Sequence, residues 1–169
     1  MANQYVQYYV EGDDEKKLLR VLKDELGAIL PGKIQKLNVI QNKIKDTHLR
    51  VLHPGTMVVL VFDTDTGSID MLNQNLESLH ACSAVSEVVT IPQVKNLEDE
   101  LVHSCDIKKV EDLLGSRSRQ DFKSDLIRAS NLAGKLREHK FDIGRFWCKA
   151  PGEPYQNIEN QAEKVKIAG

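Results

Sequence analysis

Apolar residues along the chain follow two rhythms, short unbroken runs and stripes at three-to-four-residue spacing. Tyr5-Val6-Gln7-Tyr8-Tyr9-Val10 is aromatic and β-branched, and Met57-Val58-Val59-Leu60-Val61-Phe62 contains no polar residue at all. Such runs predict strands buried on both faces of a parallel sheet. Lys36-Leu37-Asn38-Val39-Ile40 and Glu87-Val88-Val89-Thr90-Ile91 are read as two further strands, the latter stopped by Pro92, which has no N–H for a ladder. Leu18, Leu22 and Leu26 mark a helix capped by Asp13 and ended by Gly27 and Pro31-Gly32, while Ile69, Leu72, Leu76 and Leu79 mark another over 69–80. Strands alternating with helices imply parallel βα units. The expected fold is therefore α/β, a Rossmann-like layered architecture with a mainly parallel four-stranded sheet flanked by helices.

Past Pro92 the pattern turns helical. Short helices are expected over 97–102 and 107–114, then a basic loop at Gly115-Ser116-Arg117-Ser118-Arg119. Phe122, Leu126, Ala129, Ala133 and Leu136 predict one longer amphipathic helix, with Ser118 and Asp121 spaced as in a capping box. The stretch after Pro151-Gly152-Glu153-Pro154 is polar and expected to be peripheral. The organisation predicted is a core over 1–105, a basic helical extension over 106–150 packed on it, and a polar tail over 151–169.

Composition narrows the class. A chain of 169 residues, 41% hydrophobic, suits one compact domain. No stretch approaches the roughly 20 apolar residues of a membrane helix, and no basic segment leads into an apolar signal core at the N-terminus. A soluble cytoplasmic protein without a membrane partner is expected. Cys82, Cys105 and Cys148 form no C-x-x-C pair and read as reduced thiols. His80-Ala81-Cys82 and His103-Ser104-Cys105 repeat an H-x-C pattern that offers four zinc-type ligands, at a spacing unlike common zinc sites. The net charge of −2 hides an asymmetry: residues 1–107 hold 10 Lys/Arg against 16 Asp/Glu, and residues 108–149 hold 11 against 6. An acidic part that binds cations beside a basic surface that attracts phosphate produces such a split, and so does ordinary surface decoration.

The acidic residues are not scattered. Glu11-Gly12-Asp13-Asp14-Glu15 follows the first apolar run and Asp63-Thr64-Asp65-Thr66-Gly67 follows the buried one, and ligands of open α/β sheets sit at the carboxyl ends of strands. Carboxylates converging there repel one another unless cations hold them, and hard oxygen ligands suit Mg2+ or Mn2+. Gly12 permits a tight strand-to-helix turn and Gly67 frees the other. A plainer reading exists for each: acidic residues favour a helix N-terminus, and a polar turn ends any buried strand. The first explains Glu15 and leaves Glu11 unexplained.

Glu11-Gly12 after the first strand and Asp63-Thr64-Asp65 after the third resemble the Toprim domain, shared by topoisomerases, bacterial primases, recombination proteins and OLD-family nucleases. With Glu15 and Gly67 added, the pattern is most similar to OLD-type nucleases, over about residues 5–105. The resemblance implies that Glu11, Glu15, Asp63 and Asp65 bind one or two divalent ions, about 4 Å apart where there are two, with Glu98 as a further acidic position. It implies phosphodiester hydrolysis of DNA or RNA, with Glu11, Asp63, Asp65 and Lys123 in the catalytic set. Arg117, Ser118, Arg119 and Lys123 are the candidate phosphate-binding residues, with the plainer alternative of a solvated basic face. No G-x-x-x-x-G-K-[ST] loop is present, so any ATPase function would come from a separate subunit.

Two other classes fit parts of the pattern. Phe62-Asp63-Thr64-Asp65-Thr66 also resembles the nucleophile motif of haloacid dehalogenase-type phosphatases, but that motif follows the first strand of its core and would leave Glu11-Gly12 idle. A non-catalytic or partner-dependent nucleic-acid-binding module with the same acidic site is the third. Phe141, Phe146 and Trp147 are read as packing residues rather than base-stacking platforms.

Overall fold

Tyr5–Val10 (β1), Lys33–Lys36 (β2), Thr56–Asp63 (β3) and Val85–Gln93 (β4) form one sheet in the order β2-β1-β3-β4, with every pairing parallel. The computed structural model describes residues 4–66 and 68–167; Gly67, expected to free the turn after β3, lies outside them. Helices Asp13–Asp24 (α1), Asp46–Arg50 (α2), Asp70–His80 (α3), Leu97–Ser104 (α4), Glu111–Leu114 (α5), Arg119–Arg128 (α6) and Leu132–Glu138 (α7) complete the α/β architecture. No helix among the described residues is long and apolar enough to cross a membrane.

Alternate side chains of a strand face opposite ways, so a strand covered on both sides must be apolar throughout. Met57, Val59 and Val61 join Val6, Tyr8 and Val10 in a core with Leu18, Leu22, Phe122, Leu126 and Leu136. Val58, Leu60 and Phe62 join Tyr9 in the opposite core with Ile40, Leu72, Leu79 and Tyr155.

The second strand lies at Lys33–Lys36, not at residues 36–40. Asn38 turns the chain instead: its side-chain oxygen accepts the N–H groups of Ile40 (3.0 Å) and Gln41 (3.3 Å), an alternative to ladder bonds. Val39 and Ile40 are still buried, as the bottom of that turn. Helix α1 is capped by the extended backbone of Gly12, with Asp13 already helical and no side chain capping it.

The single helix expected across Phe122 to Leu136 is two. After Arg128 the chain becomes extended at Ala129, and Asn131 accepts the N–H of Gly134 (3.2 Å) to start α7. The apolar spacing survives the break because both helices cover the same core. Ser118 does cap α6, accepting the N–H of Asp121 at 3.1 Å. Only Glu111–Leu114 of the 107–114 segment is helical, ending at Gly115 with φ 68°.

The polar tail is not peripheral. Tyr155 is fully buried, Ala162 and Val165 lie in the core, and Ile29 forms an antiparallel bridge with Lys166. Gln161 Oε1 accepts the Thr90 N–H at 3.0 Å while the Gln161 N–H donates to Thr90 O at 2.8 Å. Gln161 thus satisfies both backbone groups of Thr90 on the otherwise open edge of β4, one through its own backbone and one through its side chain.

Candidate functional site

Three adjacent strands reach their carboxyl ends together, and each terminates in a polar side chain: Glu11 just past β1, Asp63 closing β3 and Gln93 closing β4. The Glu11 carboxylate spans two of them, Oε2 accepting the backbone N–H of Asp63 at 3.0 Å. Gln93 Nε2 donates to Asp63 Oδ1 at 2.7 Å. The turn beyond β3 is tied to β4 as well, the Thr64 N–H donating to Lys95 O at 2.8 Å and its hydroxyl to Gln93 O at 2.8 Å.

Helix α1 then turns its first residues inward. Asp14 and Glu15 are each only 3% exposed, and Asp14 Oδ1 and Glu15 Oε2 are buried without a hydrogen-bond partner. A Cβ on Gly12 would stand 2.9 Å from Asp14 Oδ1 and 3.2 Å from Glu15 Oε2, so the absent side chain makes the space these oxygens border. Lys123 Nζ, from α6, approaches Asp14 Oδ1 to 3.9 Å, an ionic contact beyond hydrogen-bond distance. A buried carboxylate oxygen with nothing to accept from is costly, and two beside each other call for a proton or a cation.

The electrostatics carry the same signature. Burial pushes the Glu15 carboxyl up to about 10, with the Asp14 carboxylate adding to the rise. Burial and then the Glu11 charge push Asp63 up to about 8, against the opposing Gln93 hydrogen bond. Glu11 is raised by burial, the Asp63 N–H working against it and Asp65 and Asp14 adding to it, and Glu98 is raised by burial. Lys123 is raised chiefly by Asp14, with Glu15, Glu98 and Asp63 contributing. Buried carboxylates that also repel one another are relieved by a proton or a bound cation.

Glu11, Glu15, Asp63, Asp65, Glu98 and Lys123 therefore belong to one electrostatic neighbourhood at the sheet edge. A recess of about 10 Å3, room for one water or ion, is bordered by Glu11, Asn38, Asp63 and Asp65. A much larger cavity of about 680 Å3 lies at the other end of the sheet, beside Tyr5, Gly32, His53 and Thr56, with no carboxylate in its lining. The basic residues divide. Arg119 stands at the mouth but is bound to Asp99 (2.9 Å) and Asn96 (3.1 Å); the Ser118 hydroxyl is committed to its cap; Arg117 lines a separate recess with Asp121, Asp125 and Arg128.

The donor set fits a hard divalent ion: carboxylate oxygens, two of them orphaned, around a space kept open by glycine. Among the described residues no group of three His, Cys, Asp or Glu side chains stands arranged around a metal position, so binding would draw the carboxylates together. The two H-x-C segments do not combine; Cys105 is buried and His103 Nε2 lies 3.3 Å from Cys148 Sγ instead. Asp14 and Gln93 belong to the site although their sequence positions pointed elsewhere, Asp14 to the helix N-terminus and Gln93 to the residue after a strand-ending proline. A polar residue at the very end of a buried parallel strand is the signal that would have found Gln93. Comparison with protein-family models, characterised proteins and solved structures gave no match for this chain.

Proposed function

We propose that the protein is a Mg2+- or Mn2+-dependent nuclease of Toprim type that hydrolyses phosphodiester bonds in DNA or RNA. The observation that carries this reading is the pair of buried oxygens of Asp14 and Glu15, neither with a hydrogen-bond partner and only the first in ionic contact with Lys123, beside the Glu11–Asp63 bridge at the carboxyl edge of a parallel sheet. Glu11, Glu15, Asp63 and Asp65 would hold one or two ions, with Glu98 at the margin. A bound ion supplies Lewis-acid activation of water and stabilises the leaving oxygen.

The chain's own residues do the rest. The bond from the Asp63 N–H to Glu11 ties two strand ends together, so that both carboxylates would be available to hold an ion. Lys123, 58% exposed in its side chain and held toward the site by Asp14, is placed to neutralise a phosphate oxygen. Arg119 guides the backbone at the mouth, after exchanging Asp99 for phosphate. Nucleic acid is the partner, a separate ATPase or other protein subunit is a further candidate, and a cytoplasmic setting suits cysteines that stand as free thiols.

The test is incubation of wild-type and Asp63→Ala protein with labelled plasmid, single-stranded DNA, structured RNA and a generic phosphatase substrate, in EDTA, Mg2+ or Mn2+. Metal-dependent cutting of a polymer, absent in the variant, supports the nuclease. Turnover of the phosphatase substrate alone would favour a phosphatase, and binding without cutting would favour a non-catalytic module.

A further inference from the structure

Gln93 can face Asp63 with either its amide N–H2 or its carbonyl, and the two orientations have opposite effects on a carboxylate. The indole of Trp147 decides between them. Its Nε1–H, which can only donate, lies 3.1 Å from Gln93 Oε1, so the carbonyl end of the amide is taken and the N–H2 end faces Asp63 Oδ1 at 2.7 Å. Gln93 is fully buried and Trp147 is 1% exposed, so water is not at hand to replace either bond.

Trp147 is itself held in place. Its φ of 56° is one that few non-glycine residues adopt. Its backbone N–H donates to Glu100 Oε1 at 3.2 Å, and its carbonyl accepts from Asn160 Nδ2 at 2.9 Å. The other oxygen of Glu100 accepts the N–H of Val94, the residue after Gln93, at 2.8 Å. One fully buried carboxylate thus fixes both sides of the Gln93–Trp147 contact.

We propose that Gln93 is a positioning residue for Asp63, and that Trp147, clamped by Glu100, locks the Gln93 amide with its N–H2 toward the carboxylate. The proposal rests on the reading of Asp63 as a cation ligand. The amide holds Oδ1 and leaves the other oxygen for the ion. Without the indole the amide is free to turn its carbonyl onto the carboxylate and push it out of place.

The experiment uses the full chain as wild type, Trp147→Phe, Gln93→Met and the double variant. Mn2+ affinity is measured by calorimetry, and exchange of the Gln93 side-chain amide protons by NMR on metal-free protein. The expected result is slow exchange of those protons in the wild type and a loss of Mn2+ affinity of about tenfold in each single variant. The double variant should bind no more weakly than Gln93→Met alone, because the indole acts only through the amide. Additive losses, or unchanged Mn2+ affinity in Trp147→Phe, overturn the proposal while leaving the metal site standing. Fast exchange in the wild type overturns it without recourse to any variant, and a wild type that binds no Mn2+ overturns the proposal and the metal site together.

Discussion

Glu11 and Asp63 are legible from sequence as strand-end carboxylates because each follows a run rich in β-branched and aromatic or aliphatic residues, and strand ends are where such a sheet exposes its polar groups. Asp14 is not, because an acidic residue in a helix's first turn has an ordinary explanation; only its burial beside Glu15, with unpartnered oxygens, sets it apart. At this scale Gly12 is the sharpest probe. Its φ of −147° suits any residue, so Gly12→Ala adds no backbone strain and should still fold, its cost set by how far the Asp14 and Glu15 carboxylates give way. The added Cβ, 2.9 Å from Asp14 Oδ1, should displace the carboxylates and weaken Mn2+ binding at least tenfold, as calorimetry would show. The raised carboxyls make a second prediction. Asp63 at about 8 and Glu15 at about 10 bind protons more tightly folded than unfolded. Their contribution to stability is complete below the unfolded carboxyl range near 4 and is lost as pH rises through the folded values. Metal-free protein should therefore melt lower as pH is raised from about 5 to about 8. Asp63→Asn, whose amide oxygen can still accept from Gln93, should flatten that slope and gain about 2 kcal/mol at pH 8.

Elements with strong periodicity, β1, β3, α1 and α3, stand where apolar spacing places them, whereas β4 is longer than expected: Pro92 does not stop it, and the strand runs on through the proline to Gln93, still paired with β3. Those that depend on a single polar side chain stand elsewhere. Asn38 folds the chain away from the expected strand, and Asn131 restarts a helix inside an uninterrupted apolar stripe. Under the proposed function, helix α6 acts as a unit. It points Lys123 and Arg119 toward the carboxylates, while Arg117 lies beside a recess with Asp121, Asp125 and Arg128. Filter-binding isotherms at several salt concentrations should show weaker nucleic-acid affinity for Lys123→Gln and Arg119→Gln, each lowering the salt slope by about one. Arg117→Gln should change it less. Equal effects from all three would spread the binding surface over the whole basic loop.

Across the whole molecule, the acidic and basic parts of the chain meet in the contacts Asp14–Lys123 and Asp99–Arg119, so the charge asymmetry read from sequence becomes a junction at one edge of the sheet. The last nineteen residues read as peripheral because they are polar, yet several of those polar groups are spent on contacts with β4 and Trp147. Gln161 and the Glu159 carbonyl satisfy Thr90, and Asn160 holds Trp147. Removing residues 151–169 should cost several kcal/mol in urea unfolding, since it strips Tyr155, Ala162 and Val165 from the two cores, and should also weaken Mn2+ binding at the far end of β4. The central claim, that strand-end carboxylates form a metal site that cuts nucleic acid, is tested most directly by the Mn2+ dependence of phosphodiester cleavage in wild-type and Asp63→Asn protein, with melting curves recorded on both. Cleavage that saturates with Mn2+ in the wild type and falls at least a hundredfold in a variant that melts no lower is the result predicted. Cleavage that survives EDTA, or proceeds equally in the variant, would contradict it.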